Sequence, residues 1–144
     1  MRYYNPKYFS LYELLPKAIL EELAPTYGSR LWNLLDPRVL WTVDRLRERF
    51  GKTIINTWYW GGGGQYRGWR PWDCPIGAKL SMHKTGKAGD LTFVSYGADE
   101  IRADIEQSPG HLAYTHITTV ERKVSWLHFD VRRRQGKSIR FINP

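Results

Sequence analysis

The chain has 144 residues, a formal net charge of +8, 42% apolar and 15% aromatic residues, and one cysteine. That length suits a single domain with one core, and no apolar run is long enough to span a bilayer. Cys74 alone excludes an internal disulfide and a thiolate zinc cluster, so any metal must be held by histidine and carboxylate. The charge favours an anionic partner such as nucleic acid, cell wall or a membrane surface, without choosing among them.

Met1 is followed by "RYYNPKYFSLYELL", which lacks the apolar region of a secretory signal. The expectation is synthesis in the cytoplasm without a signal peptide and no membrane insertion. Residues 10 to 50 read as helical. Ser10 can cap a short helix through Leu15, and Pro16 suits the first turn of the next. "DPRVLWTVDRLRERF" is the clearest helix, with Asp36 as N-cap, Pro37 as first helical residue and Gly51 as the stop. Val39, Leu40, Val43, Leu46 and Phe50 form its apolar stripe.

"TIINTWYW" reads as a strand. The stretch "GGGGQYRGWRPWDCPIGAKLS" cannot be regular structure. Its tryptophans argue against disorder, so it is expected to be a folded rim around a site. "DLTFVS" reads as a strand from Asp90, and "GADEIRADIEQS" as a helix with Ile101 and Ile105 inward. "THITTVE" and "WLHFDV" form a hairpin, and "SIRFIN" a last strand. The fold class is α+β: N-terminal helices followed by a small antiparallel sheet. Residues 1–144 form one domain, with 1–50 as its helical part and 51–144 as its core.

If Glu121 and Trp126 pair across the hairpin turn, then Glu121, Trp126, His128 and Asp130 share one sheet face. A glutamate, a histidine and an aspartate beside a tryptophan make a poor core and a reasonable site floor. In "SMHKTGKAGDL", His83 and Asp90 stand seven apart across Gly86, Ala88 and Gly89. That spacing fits neither one helix face nor one strand face, but it fits two side chains brought together by a tight turn. Two histidines and one carboxylate are a zinc set with a fourth position left for water. His83, Asp90 and His128 are the expected ligands of one zinc ion, and Glu121 the expected base. The bland alternative for Glu121 is a solvated carboxylate paired with Arg122 or Lys123.

Ser81, His83, Gly86, Ala88 and Asp90 spell SxHxxGxAxD. Together with His128 and Asp130 in "WLHFD" they resemble the zinc D-alanyl-D-alanine peptidase family, over roughly residues 50 to 131. That family includes carboxypeptidases, vancomycin-resistance dipeptidases and L-alanyl-D-glutamate endopeptidases of phage endolysins. The resemblance implies the hedgehog/D,D-peptidase fold, zinc on His83, Asp90 and His128, and a peptidoglycan stem peptide as substrate. Tyr66-Arg67 and then Gly77-Ala78 match a family step that implies Arg67 as the group holding substrate, with Arg70 its close rival. Ser81 and Trp126 complete the expected substrate-binding set, packing being the other role open to Trp126, and Asp130 is expected behind the ligands. One departure matters: Ser125 stands where many members carry the catalytic carboxylate, three residues before the last histidine.

The reading is a monomeric zinc peptidase, carboxypeptidase or endopeptidase, reaching the cell wall after release as a phage or prophage lysin does. One alternative is a non-catalytic zinc-binding relative serving as a wall-binding or virion structural domain. The other is a basic nucleic-acid module using Trp58, Trp60, Trp69 and Trp72. It leaves His83 and Asp90 unexplained, so no stable nucleic-acid partner is expected.

Overall fold

The structure, a computed structural model, describes residues 1–144. Helices α1 (Leu11–Leu14), α2 (Lys17–Tyr27) and α3 (Pro37–Phe50) occupy the N-terminal third. The backbone N–H of Ser10 donates to Glu13 at 2.7 Å, fixing the start of α1. Asp36 accepts from the N–H of Arg38, and Gly51 ends α3 with φ of 82°, so both expected boundaries hold. All five residues of the expected stripe are buried in one cluster of 23 apolar side chains.

Strands β1 (Thr53–Ile54), β2 (Ala88–Phe93), β3 (Thr119–Glu121), β4 (Leu127–Asp130) and β5 (Arg140–Ile142) form one sheet in the order β1-β2-β4-β3-β5. Helix α4 (Ala98–Gln107) follows β2 and buries Ile101 and Ile105. Leu91, Val120, Leu127 and Phe129 are fully buried in the core. By the alternation of strand side chains, Asp90, His128 and Asp130 occupy the other face.

Three expectations are corrected. The sheet is mixed, not antiparallel, because β5 runs parallel to β3. Both edges of β4 are already taken by β2 and β3, so the chain leaving β4 reverses onto the free edge of β3, and antiparallel to β4 means parallel to β3. "TIINTWYW" is a strand only at Thr53–Ile54, and Trp58–Trp60 form a 3₁₀ turn. The hairpin register is also shifted: Thr119 faces Asp130 and Val120 faces Phe129, so continuing the ladder sets Glu121, not Thr119, against His128, and leaves Trp126 outside it. The slip is two residues, which preserves the face of every side chain. Its cause is Arg102 of α4, whose guanidinium donates to the carbonyls of Val124 and Trp126 at 2.8 and 3.0 Å and holds the turn wide.

Candidate metal centre

The SxHxxGxAxD segment folds as a local unit. Ser81 Oγ accepts from the His83 N–H, opening a 3₁₀ turn over Met82–Thr85. Gly86 ends it with φ of 70°, and a Cβ there would meet Leu34 O at 2.1 Å. Glycine is therefore required both by conformation and by packing. The chain then enters β2, where Asp90 pairs directly with His128 of β4. Asp90, His128 and Glu121 thus form one row across three adjacent strands, and His83 arrives beside it from the turn.

His83 Nε2 lies 3.2 Å from Asp90 Oδ1 and 3.3 Å from His128 Nδ1, and the last two atoms are 2.7 Å apart. Ligands about 2.0–2.1 Å from a tetrahedral ion stand roughly 3.3 Å from one another. All three residues are buried, and the group could hold a metal ion.

The opposite end of each ligand is also engaged. His83 Nδ1–H donates to Gly68 O at 2.6 Å. The carbonyl can only accept, so the neutral ring carries its lone pair on Nε2. Arg70 Nη2 donates to Asp90 Oδ2 at 3.2 Å, which leaves Oδ1 for the centre. His128 Nε2 faces Asp130 Oδ2 at 3.7 Å and Glu121 Oε1 at 3.9 Å. Arg132 in turn forks onto both oxygens of fully buried Asp130. Such outer partners fix ring orientation and ligand basicity in metal sites.

The electrostatics agree. Burial pushes the Asp90 carboxyl up, but the hydrogen bond with His128 and the two imidazoles beside it reverse this and hold it well below the carboxylate range. Burial pushes His128 down, yet the nearby Asp130 carboxylate and the hydrogen bond with Asp90 carry it up to about 9. Burial likewise opposes ionisation of Asp130, and His128 and Arg132 overcome it. Three carboxylates grouped around two imidazoles make a site that favours a positive charge.

The centre forms the floor of a cleft of about 460 Å³, walled by Arg70, Ile76, Leu80, Ser81, Trp126 and Arg132. A second cleft of about 440 Å³, lined by Arg67, Asp90, Thr92, Ser125 and Trp126, meets it at Asp90 and Trp126. Every expected site residue but Asp130 is therefore at the centre or in a wall, and Asp130 is buried behind His128. The long glycine-rich loop is a folded rim: Asp90 N–H donates to Arg67 O at 2.8 Å, and Arg70 N–H to His83 O at 3.1 Å. Arg67 opens onto the second cleft and donates to Ile55 O at 3.1 Å. Arg70 is buried, with Nε on Tyr66 O and Nη2 on Asp90. His111 and His116 take no part: His111 contacts Arg49, and His116 packs edge-on against Trp41.

Sequence reasoning missed Arg132, Arg102 and the Gly68 carbonyl. The Asp130-x-Arg132 spacing, which puts both side chains on one strand face, was a usable signal for the first. The other two have no local signature. The structure contains no helix long and apolar enough to cross a membrane. Comparison with known proteins finds no matching family model, no matching curated protein and no matching solved structure.

Proposed function

We propose that the protein is a zinc-dependent peptidase of the D-alanyl-D-alanine type that hydrolyses peptidoglycan stem peptides. The observation that carries this reading is the convergence of His83 Nε2, Asp90 Oδ1 and His128 Nδ1 at the floor of an open cleft, with the far end of each ligand already engaged. A nitrogen, nitrogen, oxygen set, with His83 Nε2 at near-tetrahedral spacing from both partners, suits zinc. Bound there, zinc supplies a Lewis acid for the scissile carbonyl and lowers the pKa of water to about 7.

The chain's own residues supply the rest. Glu121, partly exposed at the cleft, takes the proton of the attacking water and returns it to the leaving amine. Arg67 holds a substrate carboxylate or carbonyl in the adjoining cleft, a task that suits its planar fork. Ser81 and Trp126 line the path of the peptide, while Arg70 holds Asp90 to a single free oxygen. The net charge of +8 supports action on an anionic wall, as by a phage or prophage lysin after release.

A second reading has a specific observation in its favour. Ser125 stands where a carboxylate is expected, and Glu121 lies on the Nε2 side of His128, away from the converging Nδ1. On that reading the domain binds zinc without cleaving and serves in wall binding or virion structure.

Zinc content and mass spectrometry of digested muropeptides separate the two. The peptidase reading expects one zinc per chain in wild type and Glu121→Gln, with cleavage only by wild type. Zinc without cleavage by wild type selects the second reading. Cleavage by Glu121→Gln at the parental rate removes Glu121 from the mechanism.

A further inference from the structure

The Gly61–Gly64 run has no part in the metal centre, yet it builds a rigid aromatic surface. Thr57 and Trp58 both donate their N–H to Gly64 O, at 2.7 and 3.0 Å. Gly62 N–H donates to Thr57 O, and Gly64 N–H to Thr57 Oγ1, each at 3.0 Å. A Cβ at Gly62 would stand 2.4 Å from Thr57 Oγ1, so only glycine allows the loop to close. Trp58 ties the loop down through its indole N–H to Leu15 O at 2.9 Å.

Trp60 and Tyr59 project from this loop and are each 59% exposed. Tyr12 supports both, stacked on Tyr59 with centroids 4.0 Å apart and edge-on to Trp60 at 5.6 Å. Large aromatics left in water but held still lose little entropy on binding, as in the rigid anchors of recognition surfaces. Trp60 walls a cleft of about 550 Å³ that also carries Tyr8, Glu13, Arg47, Lys52 and Thr57.

The geometry points to a saccharide subsite. Trp60 takes the apolar C–H face of a pyranose, and Glu13, Arg47 and Lys52 take its hydroxyl and amide groups. A flat indole beside both donors and acceptors matches a ligand that is apolar on its faces and polar around its rim. A polyanion fits less well. The cleft sets two cations against one carboxylate, whereas residues 122–144 hold seven cations and one carboxylate, six of the eight excess charges.

One residue, Gly64, touches a wall of this subsite and a wall of the cleft beside Asp90. Gly64 lies against the Arg67 guanidinium on one side and Thr57 on the other, where a Cβ would stand 2.9 Å from Cζ and 3.0 Å from Oγ1. Arg67 lines the cleft beside Asp90, and Thr57 lines the Trp60 cleft. Resting on the peptidase reading, the ligand is an amino-sugar glycan strand: its stem peptide enters the metal cleft while a sugar ring seats on Trp60.

The test titrates zinc-loaded protein with chitotetraose, a soluble tetramer of N-acetylglucosamine, by calorimetry. Wild type binds; Trp60→Ala weakens binding at least tenfold, Trp60→Phe falls between, and Lys52→Ala weakens it about threefold. Lys52 is exposed, so its variant carries the test should Trp60→Ala fold poorly. No binding by wild type, or parental binding by both alanine variants, overturns the proposal. Trp60-dependent binding of a single-stranded oligonucleotide without chitotetraose binding overturns it too, and assigns the platform to nucleic acid. Hydrolysis of a sugar-free stem peptide by wild type, run in parallel, reports on the peptidase reading alone.

Discussion

Two clusters in this protein use nearly the same functional groups. One joins Arg70, Asp90, His83 and His128; the other joins Arg49, Asp104, Tyr114 and His111. In the second, Arg49 spans both Asp104 oxygens, from Nη2 at 2.9 Å and Nε at 3.0 Å, and Tyr114 donates its hydroxyl to the same carboxylate. Arg49 also reaches His111 Nε2 at 2.7 Å. The carboxylate is fully engaged by protein donors, and the result is a clamp between α3, α4 and the turn at 112–114. In the first, Arg70 takes only one oxygen of Asp90 and leaves the other facing two imidazole nitrogens. Residue types do not separate the clusters. What separates them is how far protein donors already saturate the carboxylate, since a cleft of about 270 Å³ borders Arg49 and His111 as well.

The sharpest way to break this comparison is to remove one imidazole from each cluster. His83→Ala should abolish zinc retention and cut hydrolysis by about 10⁴-fold or more, since the metal's contribution to the transition state is several kcal/mol. His111→Ala should leave one zinc per chain and wild-type turnover. Metal analysis with steady-state kinetics checks both, and equal behaviour of the two variants would dissolve the distinction.

Next in size is Glu121→Gln, which keeps shape and hydrogen bonding but not basicity. Hydrolysis should fall about 10²- to 10⁴-fold in kcat with zinc stoichiometry intact. Loss of zinc from this variant would make Glu121 part of the metal's support instead.

Arg70→Met and Arg49→Met sharpen the contrast between the two arginines. Removing Arg70 frees Asp90 to turn, and zinc affinity should fall about 10- to 100-fold, read by competition with a chromogenic chelator. Arg49→Met should leave zinc affinity unchanged.

The smallest effect belongs to Asp104→Asn, expected to cost about 1–2 kcal/mol by urea denaturation at pH 7, with the partial exposure of the pair limiting the loss. Hydrogen bonds from Arg49 chiefly hold the Asp104 carboxyl below its ordinary value of 3.8. A carboxyl lowered in the folded state stabilises the fold above its unfolded pKa, and that stabilisation is lost as pH falls through the folded pKa. The gap between wild type and Asp104→Asn should therefore close as pH drops below about 4. A gap independent of pH would assign it to packing.

Much of the candidate site was legible because its determinants are local. Ser81, the turn and Gly86 deliver His83 and Asp90 within ten consecutive positions. The face of Glu121, His128 and Asp130 followed from a period of two, and it survived a two-residue error in register for the same reason. Arg70 was legible as a residue of the site, but its hydrogen bond to Asp90, twenty positions away, left no trace in spacing. The second arginine behind the centre, Arg132, stands in the cationic run RRRQGK. Within that run only the two-residue spacing from Asp130 points to Arg132 as the cation that meets the buried carboxylate.

By itself the sequence determined where α3 starts and stops, which of its sides is buried, the turn that presents His83, and the alternation of the strands. These follow from capping, periodicity and backbone conformation, all settled within a few residues. Only the tertiary structure decided the order of the strands, the parallel placement of β5, the hairpin register imposed by Arg102, and the partners of Arg67 and Arg70. Those depend on which strand edges remain free and which long side chains can reach a distant carbonyl or carboxylate once the core has closed. Such outcomes are fixed by how separate segments pack against one another, and local pattern does not contain them.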